Sequence, residues 1–370
     1  MRRFLQILFL LTLTLQSYSQ EGNRWFIEKE NGNFGFIDSL GNEVFSNKFD
    51  MLSEHYSCGL VSFRKGSKYG YVDLTGNIIF KTNKYLGEFS ENLLSVEESG
   101  RFYYLNTRGE KALELTKLEI PKEKEISRVS NFYSGLALIA LKDNSSEDLL
   151  YGFINKSGEW VIEPKFQHAT SFVEGVAYVV KGNKNYFMNI KGDLFTQIEN
   201  EKDEIWQEGE SDLFDYSEGL ALIHVNDSTS FINSKGKRIC SRMFRRAFKF
   251  SDSMAAIQLN DKWGFCDTTG KIVIQPQYYV RSDFSEGLAP VSLEVKEDGY
   301  MFNSYFIEGF IDKTGKTVIP FQPNISFGGF ENGLTKGRRF IYENKRYIGK
   351  YELFYMRKDG KKVWSEIVKQ

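Results

Sequence analysis

One phrase recurs along this chain: aromatic-Gly-aromatic-aliphatic-Asp/Asn-x-x-Gly, followed about seventeen residues later by Phe-Ser-Glu-Gly-Leu-Ala. Its clearest copy runs from Lys262 to Val291, through Trp263-Gly264-Phe265-Cys266-Asp267 and Gly270 to Phe284-Ser285-Glu286-Gly287-Leu288-Ala289. A unit this small cannot bury its own apolar face, so tandem recurrence means stacking of like units. Aligned on the turn glycine, the copies fall at Gly41, Gly76, Gly109, Gly158, Gly192, Gly236, Gly270 and Gly315, with a degenerate ninth at Gly360. The spacings are 35, 33, 49, 34, 44, 34, 45 and 45 residues, which sets a basic unit near 34 and makes the excess loop insertion.

Three residues before each of the first eight glycines stands Asp38, Asp73, Asn106, Asn155, Asn189, Asn233, Asp267 or Asp312, whereas the ninth copy has Arg357. An Asp or Asn side chain accepts hydrogen bonds from turn amides, and a glycine three residues on takes positive φ without a Cβ clash, closing a short hairpin. Half of these residues are Asn and no Asp-x-Asp-x-Asp-Gly loop occurs, so a turn is the better reading than a metal site.

A strand precedes each turn, as in Tyr69 to Asp73 and Tyr151 to Asn155, and a second follows, as in Ile78-Ile79-Phe80 and Ile272-Val273-Ile274. A third segment runs through Phe132 to Ile139, Phe172 to Val179, Tyr216 to Ile223 and Phe284 to Val291. Its Phe reads as a core anchor, its Ser-Glu-Gly as a bend and its Leu-Ala as a further strand. Aromatics make up 15% of the chain, with Phe 32, Tyr 20 and Pro only 6, which favours pleated strands. The expected fold is all-β: tandem repeats of about 34 to 45 residues, each a small antiparallel meander, forming either a β-propeller-like ring or an open superhelical β-array. Arg24 to Lys29 reads as a strand supplied to the first unit by the N-terminus itself.

Residues 1–19 differ from the rest. Arg2 and Arg3 precede an apolar run from Phe4 to Leu15 and then Ser17-Tyr18-Ser19, the pattern of a secretory signal peptide cut after Ser19. The run is short for a membrane anchor. Without the two arginines, 46 of the 48 basic groups remain against 49 acidic ones. The expectation is an exported periplasmic or extracellular protein, residues 20–370 forming the repeat domain, with no stable membrane insertion and no nucleic-acid partner. Cys58, Cys240 and Cys266 form no framework and no CxxC site; Cys240 and Cys266 read as small buried hydrophobes, with a bridge between neighbouring repeats left open.

Trp263-Gly264-Phe265 with Ile274-Gln275-Pro276 and Phe284 to Val291, and Tyr151-Gly152-Phe153-Ile154 with Ile162-Glu163-Pro164, resemble the bacterial WG repeat, named for its Trp-Gly pair. Departures are frequent: the Trp position is Phe34, Tyr69, Phe102 or Glu308 elsewhere, and the Gly position is Tyr103, Tyr186 or Ser230. Distorted edges are expected in those copies. The resemblance implies a β-rich interaction array of exported bacterial proteins and no catalytic residue.

No catalytic set assembles from sequence. His55, His168 and His224 lie in three repeats without ligand spacing, and no metal or cofactor is expected. The recurring Glu91, Glu174, Glu218 and Glu286 could present paired carboxylates of the glycosidase kind, although satisfying backbone amides at a repeated bend is the simpler role. Candidate binding residues are Trp206, within an acidic insert at 199–218, and the basic cluster Arg242, Arg245, Arg246 and Lys249, interleaved with Met243, Phe244 and Phe248. A second cluster is Lys336, Arg338 and Arg339. A second insert, 111–130, reads as a short helix or irregular excursion, and both inserts are candidates for specificity. The expected role is a non-enzymatic binding or scaffold protein contacting protein or polysaccharide of the cell envelope. A glycan hydrolase and a passive spacer are the alternatives.

Overall fold

The computed structural model describes residues 23–369 other than 144, 147, 183, 199–214, 226, 280–281, 297–303 and 345. The expected signal segment and its cut after Ser19, and Trp206 with most of the acidic insert, lie outside the described residues.

Among the described residues the backbone forms nine sheets of three or four antiparallel strands, each hydrogen-bonded in chain order. Each sheet contains one of the nine turn glycines, all with positive φ, from 73° at Gly236 to 89° at Gly76. The fold class is therefore the expected one: all-β, built of tandem meanders of the propeller-blade type. Helix, among the described residues, is confined to the single 3-10 turn Leu115–Lys117.

The seventh sheet shows the plan, with strands Arg246–Ala247, Met254–Leu259, Lys262–Asp267 and Ile272–Tyr278. Its second and third strands are buried on consecutive residues, Met254 to Ile257 and Trp263 to Cys266. Such runs, apolar without alternation, arise where both faces of a sheet are covered. The fourth strand alternates, burying Ile274 and Tyr278 while Val273, Gln275 and Gln277 face out. The outer edge strands Trp160–Phe166, Ile272–Tyr278 and Thr317–Pro323 carry Pro164, Pro276 and Pro320, with Glu163 and Lys165 beside the first, which blocks strand addition at the free edge.

The glycine of the aromatic-Gly-aromatic phrase has a steric cause. A Cβ on Gly264 would lie 2.4 Å from the Ile274 carbonyl oxygen and 2.6 Å from the Pro276 nitrogen. Gly35, Gly70, Gly152 and Gly309 meet the last strand of their own sheets in the same way. The register shifts between Trp263 and Phe265, so the fourth strand bulges over the glycine. In the sixth repeat, with Ser230 at this position, the fourth strand shrinks to two isolated bridges, Ile232 with Arg238 and Thr229 with Phe244, the distorted edge expected there.

The chain divides into two compact units: described residues to Tyr85 with those from Asn332 onward, and Leu86–Glu331. In the first unit the opening and closing repeats meet. Trp25, Ile27 and Ile37 share a core with Leu334 and Tyr355, and the Tyr355 hydroxyl donates to the Phe26 carbonyl at 2.6 Å. An open superhelical array keeps its first and last repeats apart; here they are packed. The strand Trp25–Glu28 is supplied by the N-terminus, as expected, and pairs with Phe34–Ile37.

In the second unit the phrase Phe-Ser-Glu-Gly joins successive repeats. Phe265 packs edge-to-face on Phe284 of the next repeat with centroids 4.8 Å apart, and Phe153 meets Phe172 at the same distance. Ser251 Oγ donates to the Phe284 carbonyl at 2.8 Å, and Ser90 Oγ to that of Phe132 at 2.6 Å. Insert 111–130 is more ordered than an irregular excursion, opening with the strand Lys111–Glu114. Beyond the 3-10 turn it becomes the strand Lys124–Tyr133, and it buries Leu115 and Leu118 in the core with Tyr104 and Phe132.

Candidate functional site

The recurring acidic residues come first, because any hydrolytic site would draw on them. At the bend, two successive residues take positive φ, as in Glu218 (52°) and Gly219 (77°), the geometry of a type I′ turn. The carboxylate at the first position reaches the equivalent turn of the following repeat. Glu91 Oε1 accepts from Gly135 N at 3.0 Å, Glu174 Oε1 from Glu218 N at 3.2 Å, and Glu218 Oε1 from Ser253 N at 2.9 Å. Asp252 accepts in the same way from Gly287 N, and also holds Lys313 Nζ at 2.6 Å. These carboxylates are inter-repeat latches. Glu218→Ala is expected to lower stability by about 1 to 2 kcal/mol, read by urea unfolding, whereas Glu218→Gln, which keeps an acceptor oxygen, loses less.

The Asp/Asn residues are likewise consumed locally. Asp267 Oδ1 accepts from Thr269 N at 2.9 Å, Lys271 N at 3.1 Å and Thr269 Oγ1 at 2.6 Å. Partial burial pushes this carboxyl up, but the Thr269 hydroxyl and the two amides outweigh it and hold the pKa below the ordinary value. In the ninth repeat Asp359 substitutes, accepting from Lys361 N at 2.9 Å while Arg357 closes the turn through its backbone.

Both turn families close the same end of a sheet, since one joins first to second strand and the other third to fourth. The opposite end carries the second-to-third hairpins and the links to the next sheet. Arg242, Arg245 and Arg246 precede or open the first strand of the seventh sheet, so they lie at this second, variable end; Lys249 lies beyond Ala247, toward the turn end. All four are exposed around buried Phe244, Ala247 and Phe250, and Arg245 pairs with Asp261 in the adjacent hairpin.

Two groupings escaped the sequence reading. At the variable end of the seventh and eighth sheets Lys262 Nζ sits 2.7 Å from the Tyr279 ring centroid, and the exposed Phe306 ring lies 5.3 Å from it. The Tyr279 hydroxyl donates to Glu294, which with a second bond from Ser304 holds the Glu294 carboxyl below its ordinary value. In the first unit, Lys336 Nζ lies 2.5 Å from Glu54 Oε2 and 5.0 Å from the Phe26 ring. Burial lowers the Lys336 pKa, and the Glu54 contact partly restores it. The 45-residue spacings that close the last two repeats were the available signal. They lengthen the strands of the hairpin that leads into the turn glycine to nine and nine residues in the eighth sheet, and to ten and twelve in the ninth, against six and six in the seventh.

Glu308, at the position held by Trp263 in the seventh repeat, accepts from Phe327 N at 2.9 Å. Burial raises its pKa above the ordinary 4.5, and the Phe327 amide offsets part of this. A folded pKa above the unfolded one favours the protonated folded state, so this contribution is complete below about 4.5 and is lost as pH rises through the folded value. Glu308→Gln is therefore expected to match the parent chain in Tm at pH 4 and to exceed it at pH 8.

Cys240 and Cys266 are buried in one core cluster with their thiols in contact, and both are free. Contact with Cys240 and burial push the Cys266 thiol up, keeping it protonated. His168 packs between Tyr151 and Tyr178; burial, then Arg128, lowers its pKa. Among the described residues no three His, Cys, Asp or Glu side chains gather as a metal-ligand set. No helix there is long and apolar enough to cross a membrane.

Compared with known families, the chain carries the WG containing repeat at residues 34–69, 151–184, 230–263, 263–294 and 309–322. No curated protein matches it. Solved structures similar in fold include apo AztD from Citrobacter koseri, 11% identical over 93% of this chain and 96% of that one, with a TM-score of 0.41. Hsv2 from Kluyveromyces lactis is 9% identical over 91% and 95%, with a TM-score of 0.30. A protein of unknown function from Bacteroides caccae is 14% identical over 57% and 90%, with a TM-score of 0.26.

Proposed function

We propose that this chain, a WG-repeat protein by the repeats it carries at five places, is an exported, non-enzymatic binding or scaffold protein that contacts protein or polysaccharide of the cell envelope. One observation carries the reading: three of the four repeated glutamates, and the turn aspartate, are used inside the scaffold. Glu91, Glu174 and Glu218 accept amides of the following repeat, and Asp267 accepts those of its own turn, so the polar residues that recur hold repeats together. What varies between repeats is the opposite end, with its hairpins, links, arginines and aromatics, and a rigid scaffold with variable loops is the usual carrier of recognition. The basic, then apolar, then small-residue N-terminus supports export to the periplasm or beyond.

The test is a pull-down from envelope extract together with a glycan array, using the chain from Gln20 onward. Specific capture of a protein or glycan, undiminished by Glu218→Gln, is the expected result. Release of new reducing ends from envelope polysaccharide, abolished by Glu218→Gln, would instead make the protein a hydrolase.

A further inference from the structure

The hairpin of the ninth repeat departs furthest from the repeat plan, and its composition departs with it. Its strands Leu334–Glu343 and Arg346–Arg357 outrun the six-residue strands of the seventh sheet, so its tip has no counterpart there. Between residues 334 and 357 stand seven basic residues against two acidic ones, in a chain whose net charge is -1.

The register places Phe340 opposite Tyr351, Tyr342 opposite Tyr347 and Arg338 opposite Leu353, which puts these side chains on one face. The rings form a continuous strip. Tyr342 lies 5.8 Å from Tyr347, Tyr347 lies 5.8 Å from Phe340, and Phe340 lies 6.5 Å from Tyr351. Arg338 closes the strip with its guanidinium 5.7 Å from the Tyr351 ring, and Arg339 stands near Glu352 at 3.7 Å. The strip is graded in exposure: Tyr351 is buried and anchored by its hydroxyl to Glu28, Phe340 and Tyr347 are half-buried, and Tyr342 is 46% exposed.

Packing does not explain the outer half of this strip. Tyr342 has much of its ring in water on a hairpin whose flanking residues, Glu343 and Arg346, are exposed and charged. Charged residues at a hairpin tip discourage pairing with an added strand, so the ring faces, rather than the backbone edge, are what the hairpin offers. A row of ring faces with the Arg338 guanidinium at its inner end suits a ligand that presents C–H surfaces and carboxylates along a chain. Arginine forks bind such carboxylates bidentately.

We propose that the ninth-repeat hairpin binds an acidic polysaccharide, one carrying carboxylates on its sugar units, by stacking sugars on Tyr342, Tyr347 and Phe340 and pairing a carboxylate with Arg338, the arginine on the same face. This rests on the binding reading above and assigns it a ligand class and a place.

The test is affinity electrophoresis of the full mature chain through native gels containing polygalacturonate or alginate, with pullulan as the neutral control and phosphatidylglycerol vesicles assayed separately by flotation. Two variants are compared, the double variant Tyr342→Ala with Tyr347→Ala and the single variant Arg338→Gln, each checked by Tm. Retardation by the carboxylated polymers and not by pullulan is expected. Each variant should weaken it about tenfold or more, and Arg338→Gln should also flatten its salt dependence. Equal retardation of the parent chain and both variants, binding to pullulan as strong as to alginate, or flotation with vesicles without glycan binding would each overturn the proposal. Capture of an envelope protein by parent and variants alike, with no glycan retardation, would overturn it while leaving the broader binding role standing. Failure of glycan and protein capture together would remove both.

Discussion

Replacing Gly264 by alanine is expected to destabilise the protein by at least about 3 kcal/mol, with loss of the seventh repeat's fold as the outcome at 37 °C. The added Cβ would sit 2.4 Å from the Ile274 carbonyl oxygen and 2.9 Å from the Gln275 carbonyl carbon, backbone atoms that a side-chain rotation cannot move. Relief requires the fourth strand Ile272–Tyr278 to lift from the third, and that breaks the pairings of Trp263 with Tyr278 and of Phe265 with Ile274. Gly287→Ala is the contrast. Its φ of 86° makes alanine unfavourable, yet nothing lies within 4 Å of the added Cβ, so about 1 kcal/mol is expected. Urea unfolding of both variants followed by far-UV circular dichroism decides the point. Equal losses at the two sites would mean that backbone conformation, not the overlying strand, fixes the Gly264 position.

The second large effect is expected at Phe284. It is fully buried, edge-to-face with Phe265 of the preceding repeat, in a core that also contains Trp263, Ile274, Tyr278 and Val291. Truncation to alanine leaves a cavity between two stacked repeats, and the surrounding strands cannot close it because their backbone bonds fix their spacing. A loss of about 3 to 5 kcal/mol follows. Because stability in a repeat array is shared between neighbours, hydrogen exchange should quicken first in the two strands flanking the cavity, Lys262–Asp267 and Leu288–Lys296. Phe284→Leu, which refills most of the volume, should recover more than half of the loss. A Phe284→Ala chain with parent-like exchange in those strands would show that the two repeats do not depend on this contact.

The legibility of this chain was uneven, and the boundary follows a physical line. Turn chemistry was readable residue by residue. An Asp or Asn three positions before a glycine acts through its own turn amides, so Asp267 and Gly270 do what local geometry requires wherever the repeat stands. Strand content and the buried Phe284 were readable from periodicity for the same reason. The role of Gly264 was not, because the clash that demands glycine comes from a strand ten residues later that bulges across it. Insert 111–130, read as a short helix or irregular excursion, holds a 3-10 turn but is mostly strand, because its leucines at 115 and 118 pack against Tyr104 and Phe132 from other strands.

The sequence by itself determined the repeat count, the all-β meander and the turn residues, since each depends on contacts within about one repeat length. Only the tertiary structure decided which groups meet across repeats. Glu218 latches Ser253, Lys336 finds Glu54, and the opening and closing repeats share the Tyr355–Phe26 bond, because stacking sets those distances and no local pattern encodes them.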